Sequence, residues 1–205
     1  MRPALLLVLP FLLSAQTLPP PATSGGMPVM SALKSRSSAR EFAARPLPRQ
    51  TLSNLLWAAY GVNRPASNGR TAPSAHNWQA VDLYAALPEG LFLYNAKAHA
   101  LELVSKSDAR QISGTQDFVA AAPLNIVMVA RMGKMKASAE DTQADLVNWA
   151  AMEAGAVSQN IYLFCASEGL STVVRVGVQR PAFAKLARLA STDVILAAQT
   201  IGYPK

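Results

Sequence analysis

The feature that most restricts the fold is a long helical segment from Asp141 to Glu168. Its middle, around residues 149–157, is small and apolar on nearly every face, so the helix has no polar side to turn toward water. Polar residues within it argue against a membrane span: Asp145, Asn148, Glu153, Gln159 and Asn160. Such a helix has to be covered on all sides, by a sheet of its own chain and, we expect, by another subunit.

Shorter segments around this helix predict the sheet. Leu124 to Ala130 is an unbroken apolar run bounded by Pro123 and Arg131, which is typical of a central strand buried on both faces. The other predicted strands are 80–86, 91–94, 101–104, 172–176 and 194–201, and the other predicted helices are 28–34, one from Thr51 or Ser53 to Tyr60, and 181–189. This order predicts an α+β domain with a sheet enclosed by helices.

Length and composition are those of one folded domain. The chain has 205 residues, 51% of them hydrophobic and 15% charged, which is enough for one substantial core without a second domain. The single cysteine, Cys165, excludes an internal disulfide, and its apolar surroundings favour a buried small side chain over a nucleophile. We therefore predict one domain over residues 28–205.

The N-terminus differs from the rest of the chain. Arg2, an apolar run from Leu5 to Leu13 and the small residues Ser14 and Ala15 are typical of a secretory signal peptide over 1–15, although an apolar helix of the fold is the alternative. Residues 16–27 are rich in Pro and Gly and are predicted to form a semi-rigid tether outside any helix or ladder. We expect an exported protein, periplasmic or secreted, that is not inserted in the membrane after signal removal.

Charge and residue types exclude several function classes. The formal net charge is +7, but the Lys and Arg residues are scattered and are not interleaved with aromatic residues, so small anionic ligands explain the charge better than nucleic acid does. One cysteine and two distant histidines, His76 and His99, provide no metal site. No Gly-rich phosphate loop or G-x-S-x-G elbow occurs.

Two polar clusters carry the functional information. The first, Arg36-Ser37-Ser38-Ala39-Arg40-Glu41-Phe42, combines guanidinium groups with hydroxyls, a combination that suits a phosphate. The second is the loop Gly69 to Gln79, with Pro73, Ser74, Asn77 and Gln79, which holds more polar side chains than a turn needs. His76 lies in this loop, but no acid or nucleophile is paired with it in the sequence, so a catalytic role is not favoured.

These clusters, together with Glu168-Gly169-Leu170-Ser171-Thr172 and the closing Ile201-Gly202-Tyr203-Pro204, resemble the FMN-dependent nitroreductase family. The sequences of residues 69–75 and of the helix from Ala154 to Leu163 are similar to those of the SagB/thiazoline-oxidase-type dehydrogenase branch. The resemblance runs from about residue 28 to the C-terminus. It implies a sandwich with a central mixed, mostly antiparallel sheet and an intertwined homodimer.

The resemblance also implies noncovalently bound FMN and a set of contacts to it. Arg36, Ser37, Ser38 and Arg40 are expected at the phosphate or the ring edge, and Pro73, Ser74, Asn77 and Gln79 across the dimer interface. Backbone N–H groups of Glu168, Gly169 and Leu170 are expected near flavin N5 and O4, although Ser171 stands where a second Gly is usual. Lys205 is either a phosphate ligand or a frayed end.

The function expected is an exported oxidoreductase that transfers two electrons through flavin N5 to or from a small organic substrate, without a side chain assigned as catalytic. The electron donor stays open, because NAD(P)H is scarce outside the cytoplasm. Two alternatives use the same fold: a flavin-binding or scavenging protein, and an interaction domain that has lost the cofactor.

Overall fold

The computed structural model describes residues 15–205. The predicted signal peptide therefore lies, apart from Ala15, outside the described residues, and it stays a prediction. Five α-helices occur in the described part: α1 Val29–Ser35, α2 Arg49–Tyr60, α3 Phe118–Ala121, α4 Gln143–Glu168 and α5 Arg180–Ala187. The strands are β1 Ala15–Thr17, β2 Val62–Arg64, β3 Gly69–Arg70, β4 Val81–Leu87, β5 Gly90–Asn95, β6 Ala100–Ser105, β7 Leu124–Ala130, β8 Ser171–Arg175 and β9 Val194–Gly202.

Seven of these strands form one sheet in the order β1-β6-β5-β4-β7-β9-β8, and β2 and β3 form a separate small hairpin. Every neighbouring pair is antiparallel, so the predicted mixed character of the sheet is wrong in detail, whereas the α+β class is confirmed. Strand β7 lies in the interior of the sheet between β4 and β9, and it is buried along its whole length, as its apolar run predicted. Short turns connect β4 to β5 and β5 to β6, whereas β1–β6, β4–β7 and β7–β9 pair strands that are far apart in the sequence.

Helix α4 covers one face of this sheet. It begins at Thr142, whose hydroxyl accepts from the Asp145 N–H while the Asp145 carboxylate accepts from the Thr142 N–H, and it ends at Gly169 in the left-handed conformation with φ 66°. Ala150, Val157 and Ile161 are fully buried against the sheet. No helix of residues 15–205 is both long and apolar enough to cross a membrane.

Two apolar layers hold the sheet between helices. One lies between the sheet and the pair α2 and α4, and includes Leu55 and Leu56 of α2 and Met128 of β7. The other lies on the opposite face, where Phe183 of α5 packs with Tyr84 of β4. The functional clusters border the first layer, because both contact α4.

The segment after the predicted signal peptide corrects one expectation. Residues 15–17 pair with β6 at the edge of the sheet, and Arg49 donates to the Gln16 side chain at 3.0 Å and to the Thr17 carbonyl at 3.1 Å. The prediction that residues 17–27 cannot join a ladder is therefore wrong for Thr17, and Gln16 of the predicted tether pairs beside it. Both residues precede Pro19, the first proline of this segment, and keep their N–H groups. Residues 18–27 form neither helix nor strand.

Candidate functional site

The loop after α1 contains Arg36, Ser37 and Ser38 and is called the Arg36 loop. It is held to α4 through Tyr162. The Ser38 Oγ and the Tyr162 hydroxyl are 2.7 Å apart, and the Val174 N–H of β8 donates to the same hydroxyl at 3.0 Å. The Arg36 guanidinium lies over the Tyr162 ring, 5.3 Å from its centroid. Two predicted residues, Arg36 and Ser38, thus contact Tyr162, and both are exposed, as is Ser37 of the same loop.

The same segment then runs beside the C-terminus. The Ala39 N–H donates to the Thr172 carbonyl at 3.0 Å and the Ala43 N–H to the Tyr203 carbonyl at 2.9 Å. Arg45 lies over the Tyr203 ring, 4.1 Å from the centroid. The segment that contains Arg40 is therefore held between β8 and the residues that follow β9 and lead to Lys205.

The cations of this region are free of carboxylates. Arg40 and Lys205 are exposed, and the four salt bridges of residues 15–205 include neither of them, nor Arg36 or Arg45. A group of guanidinium and ammonium charges without internal counter-ions can bind an external anion without first breaking an ion pair.

The Pro73–Gln79 loop is organised by Gln79. The Gln79 N–H donates to Ser74 Oγ at 2.8 Å, its Oε1 accepts from Arg70 Nε at 2.8 Å, and its Nε2 donates to the Asn77 Oδ1 at 3.1 Å. Asn77 and Gln79, with φ of 54° and 52°, sit in the left-handed region, as does His76. Such conformations persist only where the surroundings enforce them, so the hydrogen bonds of Gln79 hold the loop in a strained shape.

Aromatic side chains attach this loop to the start of α4. The His76 and Trp78 rings are 4.6 Å apart, and Trp78 is 5.5 Å from Trp149 of α4. Beside them lies a pocket of about 330 Å³. It is lined by Pro73, Ser74, Ala75, Trp149, Met152 and Glu153. Pro73 and Ser74 therefore face the open pocket, whereas Gln79 hydrogen-bonds to other residues of the loop and to Arg70.

A buried carboxylate supports the loop from below. Glu153 of α4 accepts hydrogen bonds from the Tyr60 hydroxyl and, at 3.0 Å, from the Val81 N–H. Burial and the neighbouring Glu153 raise the pKa of Tyr60, so this hydroxyl keeps its proton and remains a donor. Arg70 lies over the Tyr60 ring at 5.1 Å and links this pair to Gln79.

Backbone N–H groups at the C-terminal end of α4 cap the helix. The N–H groups of Gly169 and Leu170 both donate to the Cys165 carbonyl, the second at 2.8 Å. The prediction assigns these N–H groups to a flavin ring, but in this structure they complete the helix end. Glu168 and Gly169 are exposed, and Ser171 begins β8 opposite Gly202.

The two clusters are separated along one helix. Tyr162 anchors the Arg36 loop and Trp149 anchors the Pro73–Gln79 loop, 13 residues apart on α4. At 1.5 Å per residue this separation is about 20 Å. One chain therefore anchors the two groups of predicted residues at separate points along α4.

Two further buried groups are not part of either cluster. Burial raises the pKa of the Cys165 thiol, which agrees with a buried small side chain and not with a reactive thiolate. Burial lowers the pKa of Arg175 to about 10, and this guanidinium donates to Asn125 Oδ1 at 2.7 Å and to Thr200 Oγ1 at 3.0 Å. Neutral acceptors alone satisfy it, so Arg175 ties β7, β8 and β9 together.

Comparison with known proteins shows to which group this arrangement belongs. Residues 33–203 match the nitroreductase family. The chain belongs to that family. The crystal structure of a Ralstonia eutropha JMP134 protein named as a nitroreductase is similar, with a TM-score of 0.86 and 43% identity over 93% of this chain and 90% of that one.

A protein of Methanocaldococcus jannaschii, also named as a nitroreductase, is 30% identical over 148 residues, which is 67% of this chain and 73% of that protein. At the level of the fold alone, the NADPH:FMN oxidoreductase of Vibrio harveyi, solved with NAD+, has a TM-score of 0.62 and 19% identity over 86% of this chain and 69% of that one. The predicted nitroreductase-like fold is therefore confirmed.

The nitroreductase match includes both clusters and the end of α4, and it stops before Lys205. Sequence reasoning found these clusters from their polar composition, but it missed Tyr162 and Arg45, which hold or extend them. Tyr162 belongs to a helix that reads as core, so only its distance to Ser38 reveals its role.

Proposed function

We propose that this nitroreductase-family protein is an exported FMN-dependent oxidoreductase of the SagB-type dehydrogenase branch, active as a homodimer. The observation that carries the proposal is the Arg36 loop, in which Tyr162 holds a guanidinium and a hydroxyl beside cations that have no internal counter-ion. The branch assignment depends on the sequences of residues 69–75 and 154–163.

The residues present fit an anionic mononucleotide. A phosphate would be held by Arg36, Ser38, Arg40 and Lys205, and Ser37 could add a further hydroxyl donor. Guanidinium groups provide bidentate donors, and hydroxyl and ammonium groups provide single donors. FMN, when bound noncovalently, would supply two-electron transfer through N5. The protein's own contribution is then position and positive charge, which accounts for the absence of an assigned catalytic side chain.

A homodimer would complete the site. Along α4, Met152 is 74% exposed, and a pocket of about 360 Å³ is lined by Ala151, Gly155, Ser158 and Tyr162 among others. On α1, Met30 is also 74% exposed. Apolar surface of this kind favours a protein partner, and a second copy would bring its Pro73–Gln79 loop toward the Arg36 loop of the first.

The chemistry also gives reasons for the strained loop. Pro73 and Ser74 would contact the ring from the partner subunit, while Asn77 and Gln79 keep the loop in shape through the contacts described above. Glu168, Gly169 and Leu170 would approach the ring from the end of α4. Since their N–H groups cap the helix, contact with a ring requires them to share or exchange the Cys165 carbonyl.

Purified residues 16–205 test the proposal directly. We expect a yellow dimer by light scattering, with FMN as the released chromophore by mass spectrometry, and reduction by dithionite. Titration with NADPH, NADH and reduced quinones then identifies the donor class. A monomer that does not take up FMN at micromolar concentration would contradict the proposal.

Export is tested separately. Fractionation of cells that produce the full chain, followed by N-terminal sequencing, should give a mature protein outside the cytoplasm that starts near Gln16. An intact N-terminus in the cytoplasm would contradict export and leave the flavin proposal untouched.

A flavin-binding protein without turnover is the second candidate, favoured by the capped N–H groups at Gly169 and Leu170. It predicts bound FMN that dithionite reduces but that no biological donor in the panel reduces.

A further inference from the structure

A groove between α2 and α4 shares only Glu168 with the residues assigned to the proposed function. It has a volume of about 410 Å³, within the size range of ligand pockets. Residues of α2, α4, the β2–β3 hairpin and the segment 22–27 line it. On α4 it lies along Asn160, Phe164 and Ser167, which at 100° per residue is the helix face opposite Tyr162.

Residues 22–27, called the arch below, roof this groove. The arch is fastened at its two ends, where the Ala22 N–H donates to Asn54 Oδ1 of α2 at 2.9 Å and the Met27 N–H donates to Ser167 Oγ of α4 at 2.8 Å. Gly25 and Gly26 between them have φ of 92° and 77°, conformations that other residues rarely adopt. The arch therefore bridges two helices without filling the space beneath it.

Hydrogen bonds fix two of the side chains that line the groove, Trp57 and Asn160. Trp57 donates its indole N–H to the Val62 carbonyl at 3.1 Å, which fixes the ring at the groove wall. Asn160 donates to the Ala59 carbonyl at 3.3 Å, and its own Oδ1 accepts no hydrogen bond from residues 15–205. Aromatic surface with a few oriented polar groups is the usual composition of a small-molecule pocket.

The charge of the groove is opposite to that of the chain. The chain carries 19 Lys and Arg residues, and none of them lines the groove, whereas Glu168 does. Glu168 takes part in none of the four salt bridges of the described residues. An anion would find no partner here, but a cation would find a carboxylate, amide and hydroxyl oxygens, and two aromatic rings.

We propose that the α2–α4 groove binds a small organic amine. The ammonium group would lie at Glu168 and the oxygens of the groove, and the apolar part against Trp57 and Phe164. This site shares Glu168 with the flavin proposal, where the backbone of that residue is assigned to the ring, but its carboxylate, Trp57, Phe164 and Asn160 are not used there.

Three isosteric probes test the proposal on the full chain as purified, whatever flavin it carries. Benzylamine, benzyl alcohol and benzoate share a ring and differ in charge, and NMR of the tryptophan indole N–H signals reports their binding at Trp57. An exposed ion pair of up to about 1 kcal/mol corresponds to an affinity for benzylamine about fivefold above that for benzyl alcohol, with benzoate weakest.

Variants separate the carboxylate from the ring. Glu168→Gln should remove the preference for benzylamine, and the control Glu140→Gln, an exposed carboxylate outside the groove, should keep it. Phe164→Leu should weaken benzylamine and benzyl alcohol alike. Flavin absorbance of each variant shows whether FMN content has changed, so a failure of the flavin proposal is distinguished from a failure of this one.

Equal affinities for the three probes, or a preference for benzylamine that survives Glu168→Gln, would overturn the proposal. A shift of the Trp78 or Trp149 indole signal without one at Trp57 would place the probe elsewhere and would have the same consequence.

Discussion

The hydroxyl of Tyr162 offers the sharpest test of the site, because Tyr162→Phe removes one oxygen and keeps the ring under Arg36. That oxygen accepts from the Val174 N–H at 3.0 Å and shares a hydrogen bond of 2.7 Å with Ser38. Val174 is 37% exposed, so water can replace part of what its N–H loses. Two hydrogen bonds of net about 0.5–1.5 kcal/mol each give a loss of about 1–2 kcal/mol in the free energy of unfolding.

The same change should weaken FMN binding. Ser38 loses its only side-chain partner of the described residues, so the loop must be ordered again when it binds a phosphate. A cost of about 0.5–1.5 kcal/mol corresponds to a dissociation constant raised about twofold to twelvefold. Titration of the flavin-free protein with FMN, followed by quenching of flavin fluorescence, measures this constant.

Tyr84→Phe is the matched control. The Tyr84 hydroxyl accepts from Arg131 at 3.1 Å, in a buried position on the face of the sheet that packs with α5. Its loss should lower stability by a similar amount and leave FMN affinity unchanged. Wild-type FMN affinity in Tyr162→Phe, or equal weakening of FMN binding in Tyr84→Phe, would contradict a role of the Tyr162 hydroxyl in the site.

Three further changes test the fold. Glu153→Ala leaves the buried Tyr60 hydroxyl and Val81 N–H without their acceptor and should cost about 2–3 kcal/mol in urea unfolding, whereas Glu153→Gln, which retains an acceptor oxygen, should cost less than half as much. Thr142→Ala removes the side-chain cap of α4 and should lower Tm by about 2–4 °C in calorimetry, with Thr115→Ala outside any helix as the control. Burial lowers the pKa of His99 below its usual 6.5, so the unfolded chain takes up the proton more readily than the folded chain does. The contribution of His99 to the free energy of unfolding should therefore be constant above pH 6.5 and fall below it. His99→Gln should reduce this pH dependence in urea unfolding.

The long helix could be predicted almost to the residue. Thr142 with Asp145 marks its start and Gly169 its end, and both signals act within a few residues of the chain. The start of α2 was predicted at Thr51 or Ser53, but the helix begins at Arg49 after Pro48, a position that makes no side-chain cap. Local signals thus identify a helix better than they fix its first turn.

Contacts between distant parts of the chain could not be predicted. Strand β1 exists because β6 has an open edge, yet Ala15 and its partner Glu102 are far apart in the sequence. The β2–β3 hairpin is short and polar, so no alternation of apolar residues indicates it. Arg175 reads as an ordinary strand residue among valines, and only the fold reveals that Asn125 and Thr200 surround its guanidinium.

The same limit explains why the sequence indicates some residues of the candidate site and not others. Arg36, Ser38, Pro73 and Ser74 stand out because a loop has no structural need for them. Tyr162 does not, because a tyrosine in a helix is expected in any core. The separation of about 20 Å between the two loops along α4 then has a direct consequence for function.

The two loops of one chain are anchored about 20 Å apart on a rigid helix, which favours a site shared between two chains. The exposed small residues between them, Ala151 and Gly155, would let a second helix approach closely, since no atom lies within 4 Å of a side chain built at Gly155. The lack of a polar side on α4 restricts the fold, and it also leaves the apolar surface on which the proposed homodimer depends. Flavin binding and dimer formation should consequently be lost together when this surface is changed.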